Sequence, residues 1–236
     1  MLTNTKGIAI ADYDNDGDKD VFIGSRVKNG NYPLSDTSYL LENRNGKFID
    51  VTYKVIPEVT ELHMVNDAIF SDYDGDKDLI VVGEWISITI FENQDKKFIK
   101  KEMAVLKNRD GWYQSISEVD LDSDGNMDYI IGNWGTNIKF HPTKEKPLHI
   151  YAGNFDENSS FDTALSKVSE TGDLIPVRGK QYSFEQTPFL NDKVKTYKAF
   201  DSSTLFEIYG SEKLANATHY KAYNFESIIL KNNGEG

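Results

Sequence analysis

An acidic nonapeptide recurs in register along this chain. Asp12-Tyr13-Asp14-Asn15-Asp16-Gly17-Asp18-Lys19-Asp20 returns as Asp120-Leu121-Asp122-Ser123-Asp124-Gly125-Asn126-Met127-Asp128, with aspartate at positions 1, 3, 5 and 9 and glycine at 6. A repeat constrains a fold more than composition does, because each copy marks one supersecondary unit. A weaker copy, Asn154-Phe155-Asp156-Glu157-Asn158-Ser159-Ser160-Phe161-Asp162, keeps side-chain oxygens at 1, 3, 5 and 9 and lacks the glycine. Another, Asp72-Tyr73-Asp74-Gly75-Asp76-Lys77-Asp78, is shorter by two residues.

The flanks repeat as well. Short apolar runs enter the stretches (Ile8 to Ala11, Ala68 to Ser71, Ile116 to Val119) and others leave them (Val21 to Gly24, Leu79 to Gly83, Tyr129 to Gly132). They are β-rich and too short for helices, so the stretches are expected to join strands. Leu41-Glu42-Asn43-Arg44-Asn45-Gly46-Lys47-Phe48 is echoed from Phe91 to Phe98 and from Leu230 to Gly236, with Asn and Gly placed for tight hairpins. The acidic stretches start at 12, 72, 120 and 154, spacings suited to four-stranded units. The expected fold is all-β: a partial β-propeller of about four blade units over residues 1–236, a single domain. The third hairpin copy stops where the others reach Phe48 and Phe98, so a fragment of a longer chain is expected, with the remaining blades elsewhere. Residues 183–220 break the pattern. Thr204-Leu205-Phe206-Glu207 reads as a capping box and Pro188 as a first-turn residue, so a small helical insertion of two or three helices is expected.

Carboxylates at alternate positions of a short loop wrap oxygens around one centre, which suits calcium and its six to eight oxygen ligands. Glycine at position 6 permits the turn, and the position-7 carbonyl (Asp18, Asn126) is a further candidate ligand. The candidate ligands are Asp12, Asp14, Asp16, Asp18 and Asp20; Asp72, Asp74, Asp76 and Asp78; Asp120, Asp122, Asp124, Asn126 and Asp128; and Asn154, Asp156, Asn158 and Asp162. Two calcium sites are expected at the complete stretches, and up to four in all. An EF-hand is excluded, since Ile23 and Ile131 stand where its Glu belongs. Magnesium prefers rigid octahedral geometry and zinc prefers nitrogen or sulfur. The metal-free alternative is a set of Asx turns with solvated carboxylates, and it stays open for the shortened and glycine-free copies.

Charge points the same way. The chain has 38 acidic and 26 basic residues, a formal charge of −12, and 16 of the acids crowd into the four stretches. That balance repels nucleic acid and anionic membranes. No run reaches the length of a membrane span, Met1 to Ala11 lacks the blocks of a signal peptide, and the absence of cysteine excludes disulfides and thiolate sites.

At these residues the chain resembles the FG-GAP or VCBS-type repeats that build the propeller of integrin α chains, through the Asp-x-Asp-x-Asp-Gly-x-x-Asp motif. Gly7 to Thr52, Val65 to Phe98 and Tyr182 to Gly234 look like bacterial VCBS-repeat proteins related to the ASPIC/UnbV and cartilage acidic protein group. The resemblance implies an extracellular or cell-surface protein with about seven blades. It also implies calcium bound through Asp12, Asp14, Asp16 and Asp20, and through Asp120, Asp122, Asp124 and Asp128.

Other chemistry is sparse. His63, His141, His149 and His219 show no ligand spacing, and no nucleophile elbow, phosphate loop or dinucleotide fingerprint occurs. Trp85 and Trp134 follow Gly83 and Gly132 by two residues, which suits packing between blades or, alternatively, a sugar-stacking platform. The expected function is non-enzymatic, calcium-dependent adhesion through a protein or glycan ligand. The alternative is a polysaccharide lyase or hydrolase site near Trp85, Trp134, Glu84 and Glu118.

Overall fold

Each acidic stretch joins two neighbouring antiparallel strands in one register. Ala11 faces Asp20, Ser71 faces Asp78, Val119 faces Asp128 and Gly153 faces Asp162. The computed structural model describes residues 3–158 and 160–234. Ser159 of the fourth stretch, Glu235 and Gly236 of the third hairpin copy, and Met1 and Leu2 lie outside the described residues. Strands hold 38% of the chain against 16% for helices, which makes the fold mainly β, in four antiparallel sheets.

In chain order, sheet 1 contains β1 (Thr5–Ala11), β2 (Asp20–Ser25), β3 (Tyr39–Arg44) and β4 (Lys47–Asp50). Helix α1 (Thr52–Val55) and a 3-10 turn (Pro57–Glu61) lead to sheet 2. That sheet has β5 (Met64–Ser71), β6 (Asp78–Ile86), β7 (Thr89–Gln94) and β8 (Lys97–Lys101). After a 3-10 turn (Ala104–Leu106), β9 (Gly111–Trp112) pairs with β6, and β10 (Ser115–Val119) and β11 (Asp128–Gly132) begin sheet 3. A second compact unit follows, with β12 (Leu148–Gly153), β13 (Asp162–Val168), β14 (Leu174–Pro176) and β15 (Thr218–Ala222) in the order β14-β13-β12-β15. Between β14 and β15 come α2 (Lys180–Gln186), α3 (Leu190–Lys193), α4 (Tyr197–Asp201), α5 (Leu205–Tyr209) and α6 (Ser211–Ala215). The chain then returns to the first unit, where β16 (Ile228–Leu230) pairs with β11 and makes sheet 3 three-stranded.

Period-2 alternation decides how the first unit packs. Along β1, Gly7, Ala9 and Ala11 are buried while Ile8 and Ile10 are exposed. Phe22 and Leu40 join the buried side, and across from them stand Val65, Leu79, Val81, Phe91 and Phe98 of sheet 2. A Cβ on Gly24 would come within 2.4 Å of Val65, so glycine permits the close approach of β2 and β5. The other face of sheet 2, with Ile80, Val82 and Ile90, packs against Ile116, Tyr129 and Ile131 of sheet 3. Sheet 2 is thus buried on both faces, and every residue of β6 is buried. At roughly 1.5–3 kcal/mol per fully buried large apolar side chain, these two seams dominate the stability of the unit.

In the second unit the short helices cover one face of the sheet. Phe184, Leu190, Phe200, Leu205, Ile208 and Leu214 pack on Tyr151, Phe155 and Ala164. The Thr204 capping box forms: Glu207 N–H donates to Thr204 Oγ1 at 3.2 Å and Thr204 N–H donates to Glu207 Oε2 at 2.7 Å. Pro188 lies just before α3 rather than within it, and five helices form where two or three were expected. None of the helices among the described residues is long and apolar enough to cross a membrane.

Candidate metal centres

The last residue of each stretch, the ninth in the full-length copies and the seventh in the shortened one, is a buried latch. Asp20, Asp78, Asp128 and Asp162 are all at most 1% exposed, although they begin strands beside open loops. Asp20 accepts from the Tyr13 N–H at 3.2 Å, Asp128 from Leu121 at 3.1 Å and Asp162 from Phe155 at 3.0 Å, so position 9 pins position 2. In the first unit the other oxygen reaches the hairpin of its own sheet. Asp20 accepts from Asn43 N–H at 2.8 Å, Asp78 from Asn93 at 2.8 Å and Asp128 from Asn232 at 2.9 Å. The asparagine side chains then close their own turns by accepting from Gly46, Lys96 and Gly234. In sequence these asparagines read as turn residues only. Their recurrence two residues after Leu41, Phe91 and Leu230 was the available signal.

Within the latched loops the carboxylates converge. Asp12, Asp14 and Asp20 offer oxygens all within 4.8 Å of one another; so do Asp74, Asp76 and Asp78, and so do Asp120, Asp122 and Asp124. Position 1 orders the complete loops. Asp12 accepts from Asp16 at 3.1 Å and Gly17 at 3.0 Å, and Asp120 from Asp124 at 3.2 Å and Gly125 at 3.1 Å. Gly17 (φ 96°) and Gly125 (φ 91°) occupy the left-handed region that this wrap requires. Asp16 and Asp124 cap the backbone of the next but one residue, Asp18 and Asn126. The Asp18 side chain instead accepts from Asn45 in the hairpin, at 2.6 Å.

The shortened second loop forms a triad all the same. Asp72 is used in a turn with Gly75, at 2.9 Å, and the remaining three aspartates gather. Burial pushes Asp78 up to about 7, with Asp74 and Asp76 adding repulsion. Burial and the neighbouring Glu92 raise Asp74, while burial and the aspartates around it raise Asp76. Asp76 Oδ1 and Asp78 Oδ2 are both buried without a partner at hydrogen-bond geometry among the described residues, while the Tyr73 and Asn93 N–H groups restrain the rise at Asp78. An all-oxygen donor set with an uncompensated buried oxygen fits a hard cation.

The loops differ in what faces them. In the third loop Lys231 forms an ion pair with Asp122 and holds its carboxyl below the usual carboxylate range. The fourth stretch, in the second unit, keeps the position-9 latch and gathers no triad of carboxylates among the described residues. There Asp156 takes the Asn158 amide at 2.6 Å, and Lys213 bonds the Phe155 carbonyl and pairs with Glu157.

The remaining candidates separate. Glu84 is buried and paired with Arg26 at 2.8 Å, opposite Met64 at the far end of the β5–β6 pair. Glu118 accepts from Ser71 Oγ at 2.6 Å at the acidic-loop end, where burial pushes the adjacent Tyr129 up to about 12. Trp85 is buried with φ 62°, whereas Trp134 is 51% exposed; both meet Trp112 edge-on, at 5.1 and 5.6 Å. His149 and His219 meet at 2.9 Å on neighbouring strands, a proximity that their 70-residue separation conceals.

No protein-family model matches the chain, and no curated protein matches it.

Proposed function

We propose that the chain is a calcium-stabilised, non-enzymatic β-propeller segment acting outside the cytoplasm, where its loops meet a protein or glycan ligand. The observation that carries this reading is the convergence of three aspartate triads, one of them holding two buried carboxylate oxygens, on Asp76 and Asp78, with no partner at hydrogen-bond geometry among the described residues. Like charges this close oppose the folded loop, and a divalent ion would neutralise them and tie loop to strand. Asp12, Asp14 and Asp20, then Asp74, Asp76 and Asp78, then Asp120, Asp122 and Asp124 would hold it. Three successive antiparallel sheets packed face to face in the first unit support the propeller reading. The FG-GAP/VCBS resemblance supports the extracellular setting. The separation of Glu84 and Glu118, each committed to a local partner, supports a binding role over glycan cleavage, which needs two carboxyls across one cleft.

Thermal melting in EDTA and then in millimolar calcium, with magnesium as control, tests the proposal. A rise in Tm specific to calcium is expected. Identical melts in EDTA and calcium would overturn it.

A further inference from the structure

In the second unit, β12 and β15 set two imidazole rings edge to edge. The register places Tyr151 opposite His219 and His149 opposite Lys221, so His149 and His219 are diagonal neighbours on one face of the sheet. Their Nδ1 and Nε2 atoms are 2.9 Å apart, and the ring planes lie 13° from parallel. One ring N–H donates across the gap, so a single proton holds two nitrogens that could both face a larger guest. His149 is buried, whereas His219 is exposed and opens its end of the pair to water.

The support around the pair is stiff. Tyr151 is anchored in the core beneath the helices, and its ring stacks on His219 at 4.0 Å with the planes 6° apart. His149 stands on β12, which has β13 on one side and β15 on the other. Rings already ordered in this way lose little freedom on gaining a ligand. Burial pushes both histidines below their ordinary range, with His219 and Lys221 adding repulsion at His149 and Lys221 at His219. Protons therefore compete weakly for the pair at neutral pH.

Neutral imidazoles suit transition metals, while calcium takes oxygen. Two metal–nitrogen bonds of about 2.0–2.1 Å at a right angle span about 2.9 Å, whereas a tetrahedral angle would span about 3.3 Å. The gap thus matches neighbouring corners of a square-planar site, the geometry of divalent copper, which also binds nitrogen most strongly among the divalent first-row ions. No histidine joins a group of three candidate ligands among the described residues, so water must supply the other corners.

We infer that His149 Nδ1 and His219 Nε2 form a two-nitrogen site for divalent copper. On binding, the proton of the hydrogen bond moves to the outer nitrogen of the ring that carried it, and each inner nitrogen gives its lone pair to the ion. Both rings stay neutral, and no proton is lost. The donors are nitrogen and lie outside the acidic stretches, so this inference stands apart from the calcium reading.

The test is electron paramagnetic resonance of the full chain titrated with copper(II) at pH 7.5, with millimolar calcium present to occupy the acidic loops. Saturation at one equivalent is expected, with a spectrum split by two nitrogens. His219→Asn is expected to weaken binding about tenfold or more and to remove one nitrogen splitting. His219 is exposed, so the variant should keep the parent fold, checked by circular dichroism. His141→Asn, at an exposed histidine elsewhere in the unit, is expected to change nothing. Lack of saturation up to about 1 mM, or a copper spectrum that His219→Asn leaves unaltered, would overturn the proposal.

Discussion

The backbone N–H of Asn232 donates to Asp128 Oδ1 at 2.9 Å across 104 residues of sequence. The same bond joins Asn43 to Asp20 and Asn93 to Asp78, so each acidic stretch of the first unit is fastened to the hairpin of its own sheet. Position 9 therefore serves the fold whether or not an ion is bound. Asp128→Ala strands the N–H groups of Leu121 and Asn232, and at about 1–3 kcal/mol for each unsatisfied group the loss is about 2–6 kcal/mol. Urea unfolding in EDTA measures it. A loss seen in calcium and absent in EDTA would show that Asp128 is a ligand alone.

Asp78 combines the latch with a buried, poorly compensated charge. Its Oδ1 accepts from Asn93 while its Oδ2 has no hydrogen bond, and burial pushes it up to about 7. Asp78→Asn keeps the Oδ1 acceptor and removes the charge. In EDTA at neutral pH the variant is expected to be more stable than the parent by about 1 kcal/mol, and to gain less from calcium. Paired urea titrations with and without calcium separate the two effects. An equal calcium gain in both proteins would remove Asp78 from the ligand set.

The loops and hairpins were legible because their signals are local. Alternating aspartates, a position-6 glycine and Asn-Gly turns flanked by β-rich runs each act within about ten residues. The pairing of β16 with β11 was not legible, since the pattern of Ile228 to Leu230 suits any sheet and nothing local names a partner almost a hundred residues back. For the same reason Trp85 and Trp134, alike in sequence setting, differ in burial: that depends on what each sheet packs against. The shortened second loop read as the weaker site, yet the β-register that brings Asp78 to Ser71 draws Asp74 and Asp76 in with it.

One register position tunes the charge beside each loop. Glu92 stands next to Asp74, and the equivalent Lys231 pairs with Asp122. Lys231 is thus a built-in competitor for a cation at the third loop. Lys231→Gln is expected to tighten calcium binding there by a few-fold at most, because solvent screens an exposed ion pair. Isothermal titration of parent and variant at equal ionic strength checks this. Weaker binding in the variant would mean that the lysine orders the loop rather than competing for it.

The histidine pair predicts a pH dependence confined to the second unit. Burial lowers His149 to about 4, helped by His219 and Lys221, and burial and Lys221 lower His219 as well. The His149 Nδ1 and His219 Nε2 atoms lie 2.9 Å apart, with the Tyr151 ring stacked on His219 at 4.0 Å. A folded-state pKa below the unfolded value of about 6.5 means that the unfolded chain binds more protons between the two. The contribution is present in full above pH 6.5 and is lost as pH falls toward 4, by about 3 kcal/mol at most for His149. Asp20 and Asp162, raised by burial, change stability in the opposite direction over acid pH. The comparison must therefore be parent against His149→Asn, in which only the histidine part disappears. Urea midpoints at pH 7.5, 6 and 4.5 should fall more steeply in the parent than in the variant. Equal slopes would mean that His149 titrates alike in both states and that its burial is not felt as a proton-linked energy.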